Sequence, residues 1–433
     1  MRTTQLIGTS EALIEAQRCL ACYDAPCSQA CPAQVNIPGF IRRLGENNLV
    51  GAGELLYASC PLAATCGLAC PTSDLCEGAC TLSKMGQTPV RIGSLQTYVA
   101  SQYMQSEMIG ALDSPSKVAV IGGGPSGLGC AVHLRRLGHE VDIFDRGVLL
   151  GGLVDRVIPH HRLPNEVIDF DLARIKDGGV SVHLEQDIDQ QRVQELLNTF
   201  DAVFVGTGLS DSRTLTAPGV ESEDVHSALL YLDRARQSEK GSADAPDLGK
   251  QVVVIGGGNV ALDAAVMAKK LGADRVIVLY RRTKDQMPGW ETEYIEAATL
   301  GVEFRWLSVV QEIKSQQGKL QSVLVQTMKL AAPGADGRRK VEPDPDTLAY
   351  ELRCDSVVLA LGQVIDPALP EHMGLTLSGN GTVPVDDVTY QTENPKVFSA
   401  GEVVSGGATV VYSMSQGMAA GRAMHAWLQG EKV

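Results

Sequence analysis

Nine of the eleven cysteines in this chain of 433 residues fall between Cys19 and Cys80, with only Cys130 and Cys354 outside. The first group, Cys19, Cys22, Cys27 and Cys31 followed by Pro32, has the spacing C-x2-C-x4-C-x3-C-P. The second, Cys70, Cys76 and Cys80, has C-x5-C-x3-C, with Pro71 after its first member. Short gaps of this kind set three thiolates around one face of an iron–sulfur cubane, and the fourth ligand comes from farther along; in runs closed by C-x3-C-P the last cysteine serves the other cluster. Two four-iron clusters need about eight ligands, and the two groups supply seven cysteines. Cys60, Cys66 or a non-cysteine side chain must complete the set. Tetrahedral sulfur coordination also suits zinc, although zinc knuckles usually pair two C-x2-C units and only one occurs here. Structural thiols are the third reading. Disulfides are disfavoured, because Met1–Gln5 leads into a polar helix and not into the apolar segment of a signal peptide.

Glycines carry the second chemistry. Lys117–Ile121 is a short buried-strand pattern, followed by Gly122, Gly123, Gly124, Pro125, Ser126 and Gly127 opening a helix through Leu137. This is G-x-G-x-x-G in strand–turn–helix context. Gly122 allows the tight turn, Gly124 lets the backbone approach a pyrophosphate, and Gly127 allows close packing of helix on strand. The helix N-terminus offers donors to the phosphates. A second strand, Glu140–Phe144, ends at Asp145, whose carboxylate can accept hydrogen bonds from a ribose diol.

The pattern recurs. Gln251–Ile255 leads to Gly256, Gly257, Gly258, Asn259, Val260 and Ala261, a G-x-G-x-x-A variant, with a helix to about Leu271. The next strand, Arg275–Tyr280, ends in Arg281 and Arg282 where an acid would mark NAD. Two guanidinium groups there can grip a ribose 2′-phosphate, which favours NADP(H), with NAD(H) still possible. The alternative is a solvated strand end.

The elements that must hold these residues follow. At about 150 residues per domain the length suggests two or three domains. Forty-five glycines against about 30 at average usage agree with many tight turns. Matching apolar segments at Asp201–Gly208 and Asp355–Gly362 mark where the chain leaves one dinucleotide domain and returns to it. Polar stretches at Ser238–Lys250 and Ala331–Asp346 read as surface connections or hairpin loops. Pro395–Glu402 is a strand and turn before an apolar-periodic helix from about Thr409 to Trp427. The fold class is therefore α/β: a helical iron–sulfur domain over 1–111, a first Rossmann-like domain over 112–210 and 365–433, and a second, inserted in the first, over 211–364. A net charge of −14 argues against sequence-independent nucleic-acid binding. No apolar run approaches the roughly 18 residues of a membrane span, and the expected location is cytoplasmic.

Over nearly its whole length the chain resembles the iron–sulfur flavoprotein subunit of bacterial dihydropyrimidine dehydrogenase, through Arg18–Cys27, Cys70–Cys76, Ile158–Pro164 and Val397–Gly401. A broader resemblance runs to the small subunit of bacterial glutamate synthase. The resemblance implies that Cys19, Cys22, Cys27 and Cys80 hold one [4Fe–4S] cluster. Cys31, Cys70, Cys76 and Gln96 hold the other, with the Gln96 carboxamide as the eighth ligand. Cys60 and Cys66 are then non-ligands, and Cys130 and Cys354 have packing roles. The resemblance also implies FAD at the first glycine turn, lined by Gly122 to Gly127, Asp145, Gly151, Gly152, Leu153, Arg162, Ile188, Gly401, Glu402, Thr409 and Val410. NAD(P) would meet Gly256 to Val260, Arg281, Arg282, Ala360, Leu361 and Gly362. Three departures from the family stand out: Asp145 where Glu is usual, Glu402 where Asp is usual, and His161 where Phe is usual.

By that resemblance the chain moves electrons between NAD(P)H and FAD and on through two clusters, with no protein acid, base or nucleophile required. No third nucleotide region remains, so uracil or thymine would be interconverted with their 5,6-dihydro forms on a partner, the large FMN- and iron–sulfur-containing subunit of a hetero-oligomer. The rival readings are delivery of electrons to a glutamate synthase large subunit or another oxidoreductase, and a redox-sensing binding protein.

Overall fold

The computed structural model describes residues 6–104, 110–112, 114–333 and 339–431; Met1–Gln5 and the middle of the stretch Ala331–Asp346 lie outside the described residues. The chain divides into two compact units, one of Arg2–Asp155, His161–Ser210 and Val364–Val433, the other of Arg156–His160 and Asp211–Gln363.

The first unit opens with short helices. Ile37–Gly45 buries Ile37, Phe40, Ile41 and Leu44, spaced i, i+3, i+4 and i+7 along one face. The Asn36 side chain caps its start by accepting from Gly39 N, and Asn48 caps Leu49–Ser59 the same way through Gly51 N. Ala63–Ala69 packs against Ile92–Gln102. Behind them stands a parallel sheet in the order Val397–Ser399, Ala202–Val205, Lys117–Ile121, Glu140–Phe144, Ser181–His183. Its central strands are covered on both faces, which is why Val118 to Ile121 and Ala202 to Val205 are continuous apolar runs.

On one side of that sheet Pro125–Arg136 packs along Val410–Leu428. The two helices meet through small residues. A Cβ at Gly417 would stand 1.9 Å from Ser126 O, and one at Gly129 2.3 Å from Met414 O. Gly417→Ala forces these backbones apart and is expected to destabilise this unit by about 3 kcal/mol. Thermal unfolding checks this, and an unchanged Tm would show that the helices can part without cost.

The second unit repeats the parallel plan in the order Val225–Ser227, Ser356–Leu359, Gln251–Ile255, Arg275–Leu279, Glu303–Arg305. It adds an antiparallel layer of Ser308–Gln316, Lys319–Pro333, Arg339–Pro343 and Tyr350–Arg353. The polar stretch after Ala331 thus continues a strand to Pro333 and starts its antiparallel partner at Arg339.

Candidate functional site

The nine cysteines from Cys19 to Cys80 surround two hollows. One, of about 360 Å³ including its mouth, is lined by Cys19, Cys22, Cys27 and Cys80 among Pro26, Ile37, Pro38, Ile41, Leu82, Val90 and Ile92. The other, of about 390 Å³, is lined by Cys31, Cys70, Cys76 and Gln96 together with Cys60, Cys66 and Val411. Ala21 and Ala25 wrap the chain around the first hollow in left-handed conformation, at φ 49° and 40°, a backbone cost of about 1 kcal/mol each. Among the described residues no group of three or more His, Cys, Asp or Glu side chains is close enough to hold a single metal ion. The sulfurs stand around a space, as a four-iron cubane with one outer ligand per iron requires.

Burial pushes the Cys27 thiol up to about 11, and raises Cys19, Cys31 and Cys76 as well. A bare thiolate is therefore costly there, and positive iron centres offset that cost. Gln96 is buried on the helix Ile92–Gln102, and its Nε2 donates to Ala63 O at 2.8 Å. That bond leaves Oε1 as the atom of the amide able to act as a ligand. Cys60 and Cys66 are also buried at the second hollow, so position alone does not separate them from ligands. Cys130 packs in a sulfur contact, its Sγ 3.7 Å from Met424 Sδ.

The first glycine turn has the geometry of a phosphate cradle. Gly122 sits at φ 104°, and its Cβ would stand 2.5 Å from Gly206 O. A Cβ at Gly127 would lie 1.9 Å from Gly122 O, whereas nothing lies within 4 Å of one at Gly124, so the backbone there is open to a ligand. Asp145 secures the turn: Oδ2 accepts from Gly123 N at 2.6 Å and Oδ1 from Gly147 N at 2.7 Å. Each oxygen keeps a lone pair for a ribose hydroxyl.

Of the other residues expected at this site, Gly151, Gly152 and Gly401 meet the same turn. Gly151 N donates to Gly123 O at 2.8 Å, and a Cβ at Gly152 would meet Gly124 Cα at 3.0 Å, next to the helix that Leu153 begins. Gly401, at φ 85°, abuts Ser126, whose hydroxyl donates to Ala400 O. Glu402 Oε1 accepts from Ala408 N at 3.1 Å, and burial raises its carboxyl. Thr409 caps the long helix through Tyr412 N, ahead of Val410. Arg162 is buried, and the Ile188 side chain lies in the hydrophobic core with Phe144 and Val193.

The second glycine turn belongs to the other unit. Gly256 sits at φ 146°, where a Cβ would meet Ala360 O at 2.3 Å, which ties the turn to the Ala360–Leu361–Gly362 segment. Gly258 is open, with nothing within 4 Å. Asn259 Oδ1 accepts from Trp290 N at 2.9 Å, so a following loop buttresses the turn ahead of Val260. Arg281 is exposed and Arg282 half-buried; neither has an ion-pair partner among the described residues, and Arg282 Nε is buried with no hydrogen-bond partner. An unsatisfied buried guanidinium nitrogen fits a site that takes an anionic group.

A family model described as pyridine nucleotide-disulphide oxidoreductase matches residues 94–417. The chain belongs to that family. A second model, dihydropyrimidine dehydrogenase domain II, 4Fe-4S cluster, matches residues 2–108, which sets zinc aside. This oxidoreductase is 34% identical to the NAD-dependent dihydropyrimidine dehydrogenase subunit PreT of Escherichia coli K12, over 97% of its own length and 95% of the relative's. It is 31% identical to the glutamate synthase [NADPH] small chain of the same organism, over 97% and 92%. Among solved structures, Mycobacterium tuberculosis FprA in complex with NADPH matches with a TM-score of 0.61 at 20% identity, over 73% of this chain and 86% of that one; this shows the α/β fold. No single described helix of the oxidoreductase is long and apolar enough to cross a membrane.

Sequence reasoning missed Asp171, Tyr57 and Arg136. Asp171 is fully buried and accepts from Tyr57 Oη at 2.9 Å, Thr65 N at 2.8 Å and Ala64 N at 3.4 Å. Arg136 donates to Tyr57 O at 2.7 Å and Ala58 O at 3.1 Å. These bonds tie the cysteine-bearing helices to the sheet-bearing part of the same unit. No local motif signals them, because the partners lie 78 to 114 residues apart.

Proposed function

We propose that this chain is the electron-input subunit of a dihydropyrimidine dehydrogenase, exchanging electrons with NAD(P)H at FAD and passing them through two [4Fe–4S] clusters to an FMN- and iron–sulfur-containing partner. One observation carries the reading. Val411, in the first turn of the helix that Thr409 caps, lines the hollow of Cys31, Cys70, Cys76 and Gln96, so the proposed flavin site and the second cluster hollow share one helical turn.

Bound FAD supplies two-electron exchange with nicotinamide and one-electron exchange with iron–sulfur centres. The chain's own residues bind and orient. Gly122, Gly124 and the N-terminus of Pro125–Arg136 hold phosphate, Asp145 holds ribose, and the start of Val410–Leu428 presents N–H groups that favour negative charge nearby. Gly256 to Val260 hold the nicotinamide dinucleotide, with Arg281 and Arg282 on a 2′-phosphate. The first hollow is the shallower exit. Leu20 lines it while 54% exposed, and Tyr23, Ile14 and Met85 nearby in sequence are 106%, 66% and 61% exposed. Apolar side chains left in solvent mark a docking face for the partner.

The decisive experiment combines the anaerobically purified chain with the large dihydropyrimidine dehydrogenase subunit and follows nicotinamide oxidation with and without uracil. Uracil-dependent oxidation is expected; oxidation indifferent to uracil refutes the assignment. The second reading, a glutamate synthase small subunit, rests on the comparable match of that relative, and the same assay with its large subunit distinguishes the two. Rapid bleaching of the flavin by NAD(P)H is expected in either case, and its absence would favour a redox sensor.

A further inference from the structure

Asp171 stands on the helix Asn165–Asp177, away from every cysteine in sequence, yet its hydrogen bonds end at Gln96. The peptide group joining Ala63 to Ala64 donates its N–H to Asp171 Oδ1 at 3.4 Å, and its carbonyl accepts from Gln96 Nε2 at 2.8 Å. The next peptide group, joining Ala64 to Thr65, donates its N–H to Asp171 Oδ2 at 2.8 Å, and its carbonyl accepts from Thr97 Oγ1 at 3.2 Å. Two parallel chains thus run from one buried carboxylate, through single peptide units, to adjacent residues of the helix that carries Gln96. Hydrogen bonds linked in this way polarise one another.

Packing leaves little slack in the link. A Cβ at Gly67 would stand 2.2 Å from Thr97 Oγ1 and 2.7 Å from Gly93 O, so the helices Ala63–Ala69 and Ile92–Gln102 are in backbone contact. On the far side Tyr57 donates to Asp171, and the Arg174 guanidinium lies 4.0 Å over the Tyr57 ring. Burial pushes the Asp171 carboxyl up to about 6, against the pull of the hydrogen bonds from Thr65, Tyr57 and Ala64.

We infer that Asp171 is a positioning residue for the second cluster, fixing the Gln96 carboxamide through the Ala63–Ala64 peptide so that Oε1 faces the hollow. The inference rests on the proposed role of Gln96 as a ligand and deepens it: part of the cluster's coordination is set by a helix of the sheet-bearing region.

The test uses the full chain purified anaerobically, comparing wild type, Asp171→Ala, Asp171→Asn and Gln96→Ala by FAD content, iron content, the electron paramagnetic resonance of each reduced cluster and its midpoint potential. In Asp171→Ala the resonance and potential of one cluster are expected to move toward those of Gln96→Ala, while the other cluster, the FAD content and the rate of flavin bleaching stay as in wild type. Asp171→Asn keeps an acceptor for Thr65 N, but its amide nitrogen replaces Oδ1 opposite both Tyr57 Oη and Ala64 N, so the Ala63–Ala64 link is lost and the same cluster is expected to shift, by less than in Asp171→Ala because the shape of the site is kept. Two results overturn the inference: both clusters of Asp171→Ala indistinguishable from wild type, or both clusters and the flavin perturbed alike, which is the mark of a merely structural residue. Should Asp171→Ala yield no folded protein, Tyr57→Phe, which removes a single donor, decides. A smaller shift of the same cluster supports the inference, and unchanged spectra overturn it. A wild-type chain without two clusters, or a Gln96→Ala variant with unaltered spectra, removes the ligand reading itself, a separate failure.

Discussion

Cys27→Ala and Cys76→Ala are each expected to remove one cluster and spare the other, so that iron falls from about eight to about four per chain while bound FAD is retained. The two residues line different hollows, Cys27 with Cys19, Cys22 and Cys80, and Cys76 with Cys31, Cys70 and Gln96. Neither hollow offers an obvious substitute donor to the first cluster, whose other lining residues are apolar apart from Thr81. The second hollow contains Cys60 and Cys66 as well, so Cys76→Ala is the variant in which a neighbouring thiol has the better chance of stepping in, and Cys27→Ala should show the cleaner loss. NAD(P)H should still bleach the flavin in both variants, whereas delivery of electrons to an acceptor protein should be abolished. Iron, sulfide and flavin quantification settles it; full iron in both variants would mean that these cysteines are not ligands.

The same contrast shows what the sequence discloses and what it withholds. The cysteine groups were legible because short gaps leave the chain few ways to point several sulfurs at one space, but spacing alone grouped Cys80 with Cys70 and Cys76, whereas it lines the hollow of Cys19, Cys22 and Cys27, as only the resemblance implied. The dinucleotide turns were legible for a backbone reason: Gly122 and Gly256 occupy positive φ, and Gly127 sits where a Cβ would strike a carbonyl. The parallel strands were legible because burial on both faces leaves unbroken apolar runs such as Val252 to Ile255. Gln96 is different. A buried glutamine on a helix has no spacing signature, and only the resemblance to a family singled it out; the structure sets it at the hollow of Cys31, Cys70 and Cys76 because Ile92–Gln102 packs on Ala63–Ala69. Asp171 was invisible altogether. Its meaning lies in a contact with Thr65 across 106 residues of chain, and no periodicity or motif encodes such a pairing.

Replacing both Arg281 and Arg282 by Ala is expected to raise KM for NADPH about 100-fold while leaving KM for NADH nearly unchanged. Hydrogen bonds to charged groups contribute roughly 1.5–3 kcal/mol each, and two of them at the lower end give about 3 kcal/mol, or two powers of ten in affinity. The relatives divide between NAD and NADPH at similar identity, so overall likeness does not decide the coenzyme and local side chains must. Locally, the strand Arg275–Leu279 is followed by Tyr280 and the two arginines, with no carboxylate at its end to receive a ribose diol. Tyr280 fills the space beneath the turn, its ring 2.5 Å from where a Gly257 Cβ would stand. Burial raises its hydroxyl, and the positive charges of Arg282 and Arg281 act in the opposite sense. Arg282, without a carboxylate partner and with a buried N–H unsatisfied, carries a cost that a phosphate relieves and a free 2′-hydroxyl does not, and the exposed Arg281 adds a second positive charge beside it. Steady-state kinetics with both coenzymes tests this directly, and a double variant whose NADPH-to-NADH preference matches wild type would defeat it.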